Sequence, residues 1–512
     1  MKKNQRRAGV ILSYAGQAVQ VLTGLLYTPV MIRILGQSEY GLYQFAYSIV
    51  SYLGLLNLGF NASYMRFYSR EKISNKKDAV ERLNGMFMLI FLIMSVAVIA
   101  CGILIVSRIE LVIGTAYSSY DYQKIRVLML LMVVTLAVSF PNSVFTCIVT
   151  SQERFVFQKL LVFLQNLLNP FLTLPLLLLG YGSIGVALVS LFLTLTVFIT
   201  NMFFCFKVLK VKFSFRNLQY ALLKEMGIFT FYIFLNQVID QINWSVDKYL
   251  LGRLSGVVDV AIYSVGSQIN LMYLQLSTAV SNVYVPQINK IVAENGNDDE
   301  LTALFIKIGR IQFMILSLIL TGFIFFGRPF VKFWVGVDYN DSYLITLLLI
   351  APVTIPLIQN IGIEIQRAKN KHKVRSWVYM FIAVVNILIS IPLIKLFGPI
   401  GAAIGTAISM ILGNGLFMNW YYYKNLGINI LGFWKSLFDF APTLIVSTIL
   451  GVISLFLVGK QSIISLMICI IIYSSAYFLL LYFTGMNNDE KYVVKVMAGR
   501  IRFNRMGTDS TK

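Results

Sequence analysis

The chain has 512 residues, of which 58% are hydrophobic and 13% are charged, and its mean hydropathy is +0.75. Soluble proteins carry about 25% charged residues, so this composition excludes an ordinary soluble enzyme or nucleic-acid-binding protein. The net charge of +21 instead indicates basic loops that face an anionic inner leaflet, with no nucleic-acid partner.

Apolar runs long enough to span a bilayer, about 18 residues or more, recur from end to end and predict an all-α polytopic membrane protein. Windows of about 20 residues predict about 14 transmembrane helices. In chain order the predicted helices span 9–32, 40–62, 83–106, 126–149, 160–179, 184–206, 226–247, 258–284, 309–328, 344–366, 376–397, 402–423, 438–458 and 463–484. The first of them is read as a retained helix that also targets the chain.

The loops between these helices differ in charge. Most of the 43 lysines and arginines fall on one side, in loops such as RFYSREKISNKKDAVER and RAKNKHKVR, whereas the connectors GYGS and FGPIG carry no charge. Because basic loops stay inside, we predict a multi-pass protein of the bacterial inner (plasma) membrane with both termini cytoplasmic. A basic C-terminal tail is expected at the inner surface.

An internal repeat at an offset of about 216 residues divides the chain. NPFLTLPLLLLGYGSIGVA resembles NILISIPLIKLFGPIGAA, and ILGQSEYGLY resembles LLGRLSGVVDVAIY. Six helices per half is an even number, so the two lobes are parallel repeats. We predict an N-terminal six-helix lobe (1–217), a C-terminal six-helix lobe (218–424), and two extra helices with the tail (425–512).

Polar residues recur at helical spacing on three of the predicted helices. A polar stripe in lipid is costly, so we expect these stripes to line a wet cavity between the lobes. The stripes comprise Gln17 and Gln20 on the first helix, Asn236, Asp240, Asn243 and Asp247 on the seventh, and Gln268 and Gln275 on the eighth.

Catalytic and metal motifs are not found in the sequence. The only histidine, His372, lies in a loop, and the four cysteines fall inside predicted spans, where isolated apolar thiols are expected. No soluble domain is inserted between the helices. We therefore predict a non-enzyme with no catalytic residue, metal or cofactor.

Two short motifs carry a resemblance to a family. The first motif is Leu35-Gly36 followed by Tyr40-Gly41, and the second is Asp247-Lys248 before Leu251-Gly252. With these motifs the chain resembles the bacterial oligosaccharide flippases. These are Wzx-type polysaccharide exporters of the multidrug/oligosaccharidyl-lipid/polysaccharide superfamily. The resemblance covers nearly the whole chain, including the plan of six, six and two helices.

This resemblance implies that the protein flips an undecaprenyl-diphosphate-linked oligosaccharide, the repeat unit of a cell-surface polysaccharide such as a capsule, from the inner to the outer leaflet by alternating access. Implied partners are that lipid-linked oligosaccharide, membrane lipids, a coupling cation (proton or sodium) and glycan assembly proteins. Alternatives are a teichoic-acid or peptidoglycan-precursor flippase, a small-molecule or drug cation antiporter of the same superfamily, and a membrane glycan polymerase. The short outer loops argue against the polymerase.

Charged residues at helix ends complete the candidate site. The sequence places Arg66, Lys248, Arg253, Arg310 and Arg367 near helix ends. Arg66, Lys248 and Arg367 are candidates for substrate binding, because cations attract diphosphate and arginine binds phosphate oxygens bidentately. Arg70, Lys159 and Lys369 extend a predicted basic inner rim. Asp240 and Glu364 are the candidates for ion coupling, and Glu364 is expected to pair with Arg367. Asp247 and Lys248 are expected as an exposed pair near the outer interface.

Overall fold

The computed structural model of the chain describes residues 2–73, 77–114, 117–216, 220–281, 284–294, 297–369, 371–457, 462–492 and 495. All regular secondary structure in these ranges is helical. The chain divides into two compact units, one of residues 1–265 and 379–406, the other of residues 266–378 and 407–512. These units are defined by compactness, and the lobe boundaries inferred from the repeat stay a prediction.

Unit 1 contains the first eight helices, the start of the ninth and part of the fourteenth. Its helices are α1 (Lys2–Leu53), α2 (Phe60–Ile73), α3 (Lys77–Ser107), α4 (Ile109–Ile113), α5 (Ser119–Ser151), α6 (Phe155–Leu178), α7 (Gly182–Phe203), α8 (Tyr220–Leu254), the start of α9 (Val257–Ser281), and Tyr379–Thr406 of α14 (His372–Met410). Turns of π-helix and 3₁₀-helix extend some of these ends.

Unit 2 holds the rest of α9 and the helices that follow it. They are α10 (Val285–Ala293), α11 (Asp298–Trp334), α12 (Ser342–Ile358), α13 (Asn360–Ala368), the ends of α14, a π-helical stretch (Ile411–Met418), α15 (Asn419–Leu426), α16 (Ile430–Leu437), α17 (Ala441–Leu457) and α18 (Ile463–Leu480). Two prolines, Pro352 and Pro356, lie in α12 just before it bends into α13, and proline removes a helix hydrogen bond.

Ten helical segments of the described ranges are long and apolar enough to cross a membrane, or eleven if α12 and α13 form one bent span. The prediction of an all-α, multi-pass membrane protein is confirmed. The number of about 14 spans stays a prediction. In the described ranges α1 and α14 each continue through a non-helical glycine, Gly36 and Gly398, and each counts once, and α8 is not among the counted segments.

Two repeat-related glycines with positive φ begin the sixth helix of each predicted lobe. Gly182 has φ +57° and Gly398 has φ +56°, a region that favours glycine. In each case an acidic side chain lies against the glycine. Glu39 accepts hydrogen bonds from the amide (2.7 Å) and hydroxyl (3.0 Å) of Ser183, and a Cβ added at Gly398 would lie 3.2 Å from Oδ2 of Asp259. Acids stabilise helix N-termini, so the same local solution occurs twice.

The helix before each glycine repeats a second contact. The hydroxyl of Thr173 lies 3.4 Å from Oδ1 of Asn169, and the hydroxyl of Ser390 donates to Oδ1 of Asn386 at 2.8 Å. Both pairs are four residues apart and occupy matching positions of the repeat. Hydrogen bonds of this kind satisfy polar groups inside a membrane helix. The duplication seen in the sequence therefore extends to side-chain contacts.

A buried arginine ties the C-terminal segment of unit 2 to α11. Arg310 is 4% exposed and forms a two-pronged contact with Glu490, Nε to Oε1 at 2.8 Å and Nη2 to Oε2 at 3.1 Å. It also donates to Asp439 (2.8 Å) and to the backbone carbonyls of Ser436 and Gly485. The sequence predicted only a helix-end cation here. The correction is that Arg310 is the centre of a buried clamp, with a geometry that suits guanidinium and no other side chain.

Candidate functional site

Asp247 of α8 is buried, with 3% of its surface exposed. Its Oδ2 accepts two hydrogen bonds, from the hydroxyl of Tyr263 on α9 at 2.6 Å and from the hydroxyl of Thr406 on α14 at 2.7 Å. The expectation of an exposed side chain was wrong, because Asp247 faces two other helices of unit 1. Burial of a carboxylate is costly unless hydrogen bonds or an opposite charge compensate for the water that it loses.

Two further polar residues extend the cluster along α14. Asn386 lies 3.4 Å from the Thr406 hydroxyl, and Ser390 donates to Asn386. Asn386 and Thr406 are twenty residues apart, yet adjacent, because the chain reverses at Gly398. Tight packing across this hairpin is possible because Gly405 faces Ser390 with no side chain between them. Asp247, Tyr263, Asn386, Ser390 and Thr406 are called the Asp247 cluster below.

The second carboxylate oxygen, Oδ1 of Asp247, is buried and has no hydrogen-bond partner among the described residues. A buried acceptor without a donor loses about 1–3 kcal/mol, and more if it is charged. A proton or a cation at this oxygen would remove that loss. Carboxylate, hydroxyl and amide oxygens are the ligands that hard cations take, and the Asp247 cluster supplies all three kinds.

Lys248 is adjacent to Asp247 in sequence but belongs to a different contact. Its Nζ donates to Oε1 of Gln44 on α1 at 3.4 Å, and Gln44 in turn donates to the Tyr40 hydroxyl at 3.0 Å. Within the described ranges, no carboxylate oxygen lies within 4 Å of this lysine. The predicted ion pair of Asp247 and Lys248 was wrong, since neighbouring helix residues point about 100° apart.

One polar contact between α1 and α8 was not predicted. The amide of Gln241 donates to the hydroxyl of Ser51 at 2.6 Å. Gln241 is not part of the predicted polar stripe, because it lies on a different face of α8. The partners Tyr263 and Thr406 were not predicted either, although Asn386 is the first residue of the repeated segment NILISIPLIKLFGPIGAA.

The remaining predicted residues lie in several places. Gln17 and Gln20 are exposed on α1 in unit 1, while Gln268 and Gln275 are half-buried on α9 in unit 2. The side chains of Asn236, Asp240 and Asn243 lie outside the described residues. Their roles stay predictions.

The predicted inner rim is partly engaged in ion pairs. Arg367 bonds to Glu364 at 2.7 Å, as the sequence predicted, and remains 63% exposed. Lys369 is committed to Asp298 at 2.6 Å and to the carbonyl of Leu426. Arg66 and Lys159 are exposed. Arg66 and Arg367 therefore present guanidinium groups at the surface, where a ligand can reach them.

Comparisons with known proteins agree with this fold. The chain is similar to the "Putative O-antigen transporter" of Shigella flexneri, with 20% identity over 414 residues, 80% of this chain and 96% of that protein. Among solved structures it is similar to the lipid II flippase MurJ in an inward closed conformation, with a TM-score of 0.70 and 19% identity over 92% of this chain and 97% of that one. An inward-facing multidrug MATE transporter of the MOP superfamily gives a TM-score of 0.66 and 14% identity over 82% and 99% of the two chains.

These structural likenesses establish the fold. A family match, with the similarity to an O-antigen transporter, confirms the resemblance that the two short motifs carried. Residues 7–292, more than half of the chain, match the family described as "Polysaccharide biosynthesis protein". The chain belongs to that polysaccharide biosynthesis protein family.

Proposed function

We propose that this protein is a cation-coupled flippase of an undecaprenyl-diphosphate-linked oligosaccharide and that the Asp247 cluster binds the coupling cation. The single observation that carries the coupling is the buried Oδ1 of Asp247, which has no donor among the residues that the structure describes. The substrate class follows from family membership and from the similarity to an O-antigen transporter. A charged head group cannot cross about 30 Å of hydrocarbon unaided.

The coupling follows from how a buried acid responds to a cation. A proton or sodium ion at Asp247 removes the penalty of a buried charge, and its release restores that penalty. A ligand shifts a conformational equilibrium only through such a difference between states. Tyr263 and Thr406 come from two other helices, so binding or release of a cation at Asp247 changes the hydrogen bonds that join α8, α9 and α14. The head group would then pass between the lobes while the lipid tail stays in the bilayer.

The experiment compares Asp247→Asn with Asp299→Asn, the same substitution at an exposed acid of α11. Lipid-linked oligosaccharide extracted from the host is flipped in proteoliposomes under an imposed pH or sodium gradient. We expect gradient-driven flipping to fall at least tenfold in Asp247→Asn, because the neutral amide keeps the shape but lacks the negative charge that holds a cation and the site that takes up a proton. Asp299→Asn should flip normally. Equal gradient response in all three proteins would overturn the coupling.

Rival substrates within the superfamily are separated by the same preparation. A teichoic-acid or peptidoglycan-precursor flippase would move its own precursor and leave the oligosaccharide lipid behind. A small-molecule antiporter would move a fluorescent cationic dye against the gradient and flip neither lipid. The polymerase alternative predicts longer glycan chains after incubation, and the transporter predicts unchanged chain length.

A further inference from the structure

The glycines of the two family motifs lie where α1 packs against α8 and against Val257, the first residue of α9. Gly252, of the motif that follows Lys248, faces the ring of Phe45 so closely that an added Cβ would overlap the ring. Gly41, of the tyrosine–glycine motif, faces the backbone carbonyl of Val257, which an added Cβ would also overlap. Glycines permit helices to approach at such distances. The motif glycines therefore mark two points of closest approach.

Polar groups line the same contact. Lys248 donates to Gln44, and Gln241 donates to Ser51. We call this contact the outer seam. It comprises Gly41, Gln44, Phe45 and Ser51 of α1, Gln241, Lys248 and Gly252 of α8, and Val257. All of these residues belong to unit 1, and the first four lie in the predicted N-terminal lobe while the others lie in the C-terminal lobe.

Two tyrosines form further hydrogen bonds at one end of the outer seam. The hydroxyl of Tyr117 donates to the carbonyl of Gly252, and its ring stacks on Phe45 with centroids 6.0 Å apart. In the opposite direction, the hydroxyl of Tyr249 donates to the carbonyl of Val112 at 3.2 Å. These bonds join side-chain hydroxyls to carbonyls near helix ends. They can open without breaking any helix.

We infer that the outer seam is the external gate of the transporter, closed in this structure by glycine-dependent packing of the two motifs. The inference rests on the proposed alternating access. The seam combines two side-chain-free contact points with polar pairs whose hydrogen bonds water can replace. Its polar side chains can therefore face water once the helices part. The motifs thus specify how tightly the gate closes.

The first test uses Gly252→Ala, with Gly227→Ala as the matched control. Gly227 lies on the same helix, and a Cβ there meets no atom of the described residues within 4 Å. In a background without the four native cysteines, Gln44→Cys reports access from outside to a membrane-impermeant maleimide. We expect labelling of Gly252→Ala cells to rise about fivefold above the parent, with Gly227→Ala unchanged. Labelling at the parental rate in Gly252→Ala would overturn the gate.

A compensating change separates closure from general damage. Phe45→Ala removes the ring that the new methyl group meets, so Gly252→Ala/Phe45→Ala should return labelling toward the parental rate. A double variant as accessible as Gly252→Ala alone would contradict the packing argument. Labelling needs no substrate, so it tests the gate even where the lipid assignment fails.

A second arm works if the glycine variant does not reach the membrane. Ser51→Cys/Gln241→Cys places two thiols where a hydrogen bond of 2.6 Å now joins the side chains. A short bis-methanethiosulfonate cross-linker should stop surface polysaccharide export, and a reductant should restore it. Full export with the cross-link complete would overturn the gate, because a static contact tolerates a permanent link.

Discussion

Replacing Arg310 by methionine removes the centre of the clamp that holds the C-terminal segment of unit 2. Methionine fills a similar volume and keeps the apolar stem, so the packing against Phe440, whose ring centroid lies 4.5 Å from the guanidinium carbon, is largely retained. What is lost is the charge and its donors. Glu490, 10% exposed, is then left without its cation.

The size of the loss follows from burial. Removing one partner of a buried ion pair destabilises by about 3–5 kcal/mol, and the bidentate contact with Glu490 is of this kind. Asp439 is 61% exposed, so its share is at most about 1 kcal/mol. For a unit of roughly 200 residues, each kcal/mol lowers Tm by about 2–4 °C, and Arg310→Met should melt about 6–20 °C lower.

The assay is thermal unfolding of detergent-solubilised protein at one heating rate. Arg328→Met on the same helix is the control, since Arg328 is exposed and donates to Asn340; we expect its Tm to stay within about 2 °C of the parent. Arg310→Met/Glu490→Leu removes both charges and should recover more than half of the loss. A single variant that melts like the control would refute the reasoning.

Three further predictions concern topology and transport. A reporter fused after Gly182 or Gly398 should read as external and one at the C-terminus as cytoplasmic, because basic loops stay inside; an external C-terminus would break the two-lobe plan. Asp240→Asn should leave expression intact and reduce polysaccharide export, whereas normal export would make Asp240 a structural polar residue. Arg66→Ala and Arg367→Ala should each weaken binding of the lipid-linked sugar, and Arg→Lys should have an intermediate effect because lysine cannot bind phosphate oxygens bidentately; full binding in both alanine variants would contradict a role of these arginines in substrate binding.

The sequence was sufficient for the fold class, since long apolar runs and charged loops follow directly from the bilayer as solvent. It also located Gly182 and Gly398, because a glycine required at positive φ leaves a mark at the same place in both halves. These features are visible in the sequence because they depend on residues that are neighbours along the chain, or on the match between two such segments.

The partners of buried polar groups could not be read in the same way. Periodicity shows which residues share a face of α8 and says nothing about what lies opposite, so Thr406 was not linked to Asp247. Arg310 shows the same limit, because Glu490 is 180 residues away. Such contacts are set by tertiary packing, and no local pattern encodes them.

The wide separation of the Asp247 cluster along the chain has a consequence for biogenesis. Thr406 follows Asp247 by 159 residues, and at about 5–20 residues per second its synthesis comes roughly 8–30 s later. During that interval α8 is already made, and its acid has no hydroxyl from α14 to bond. The nascent chain must therefore keep Asp247 protonated, hydrated or held beside the insertion machinery until the hairpin at Gly398 arrives, which makes the last helices of the repeat the step that completes the Asp247 cluster.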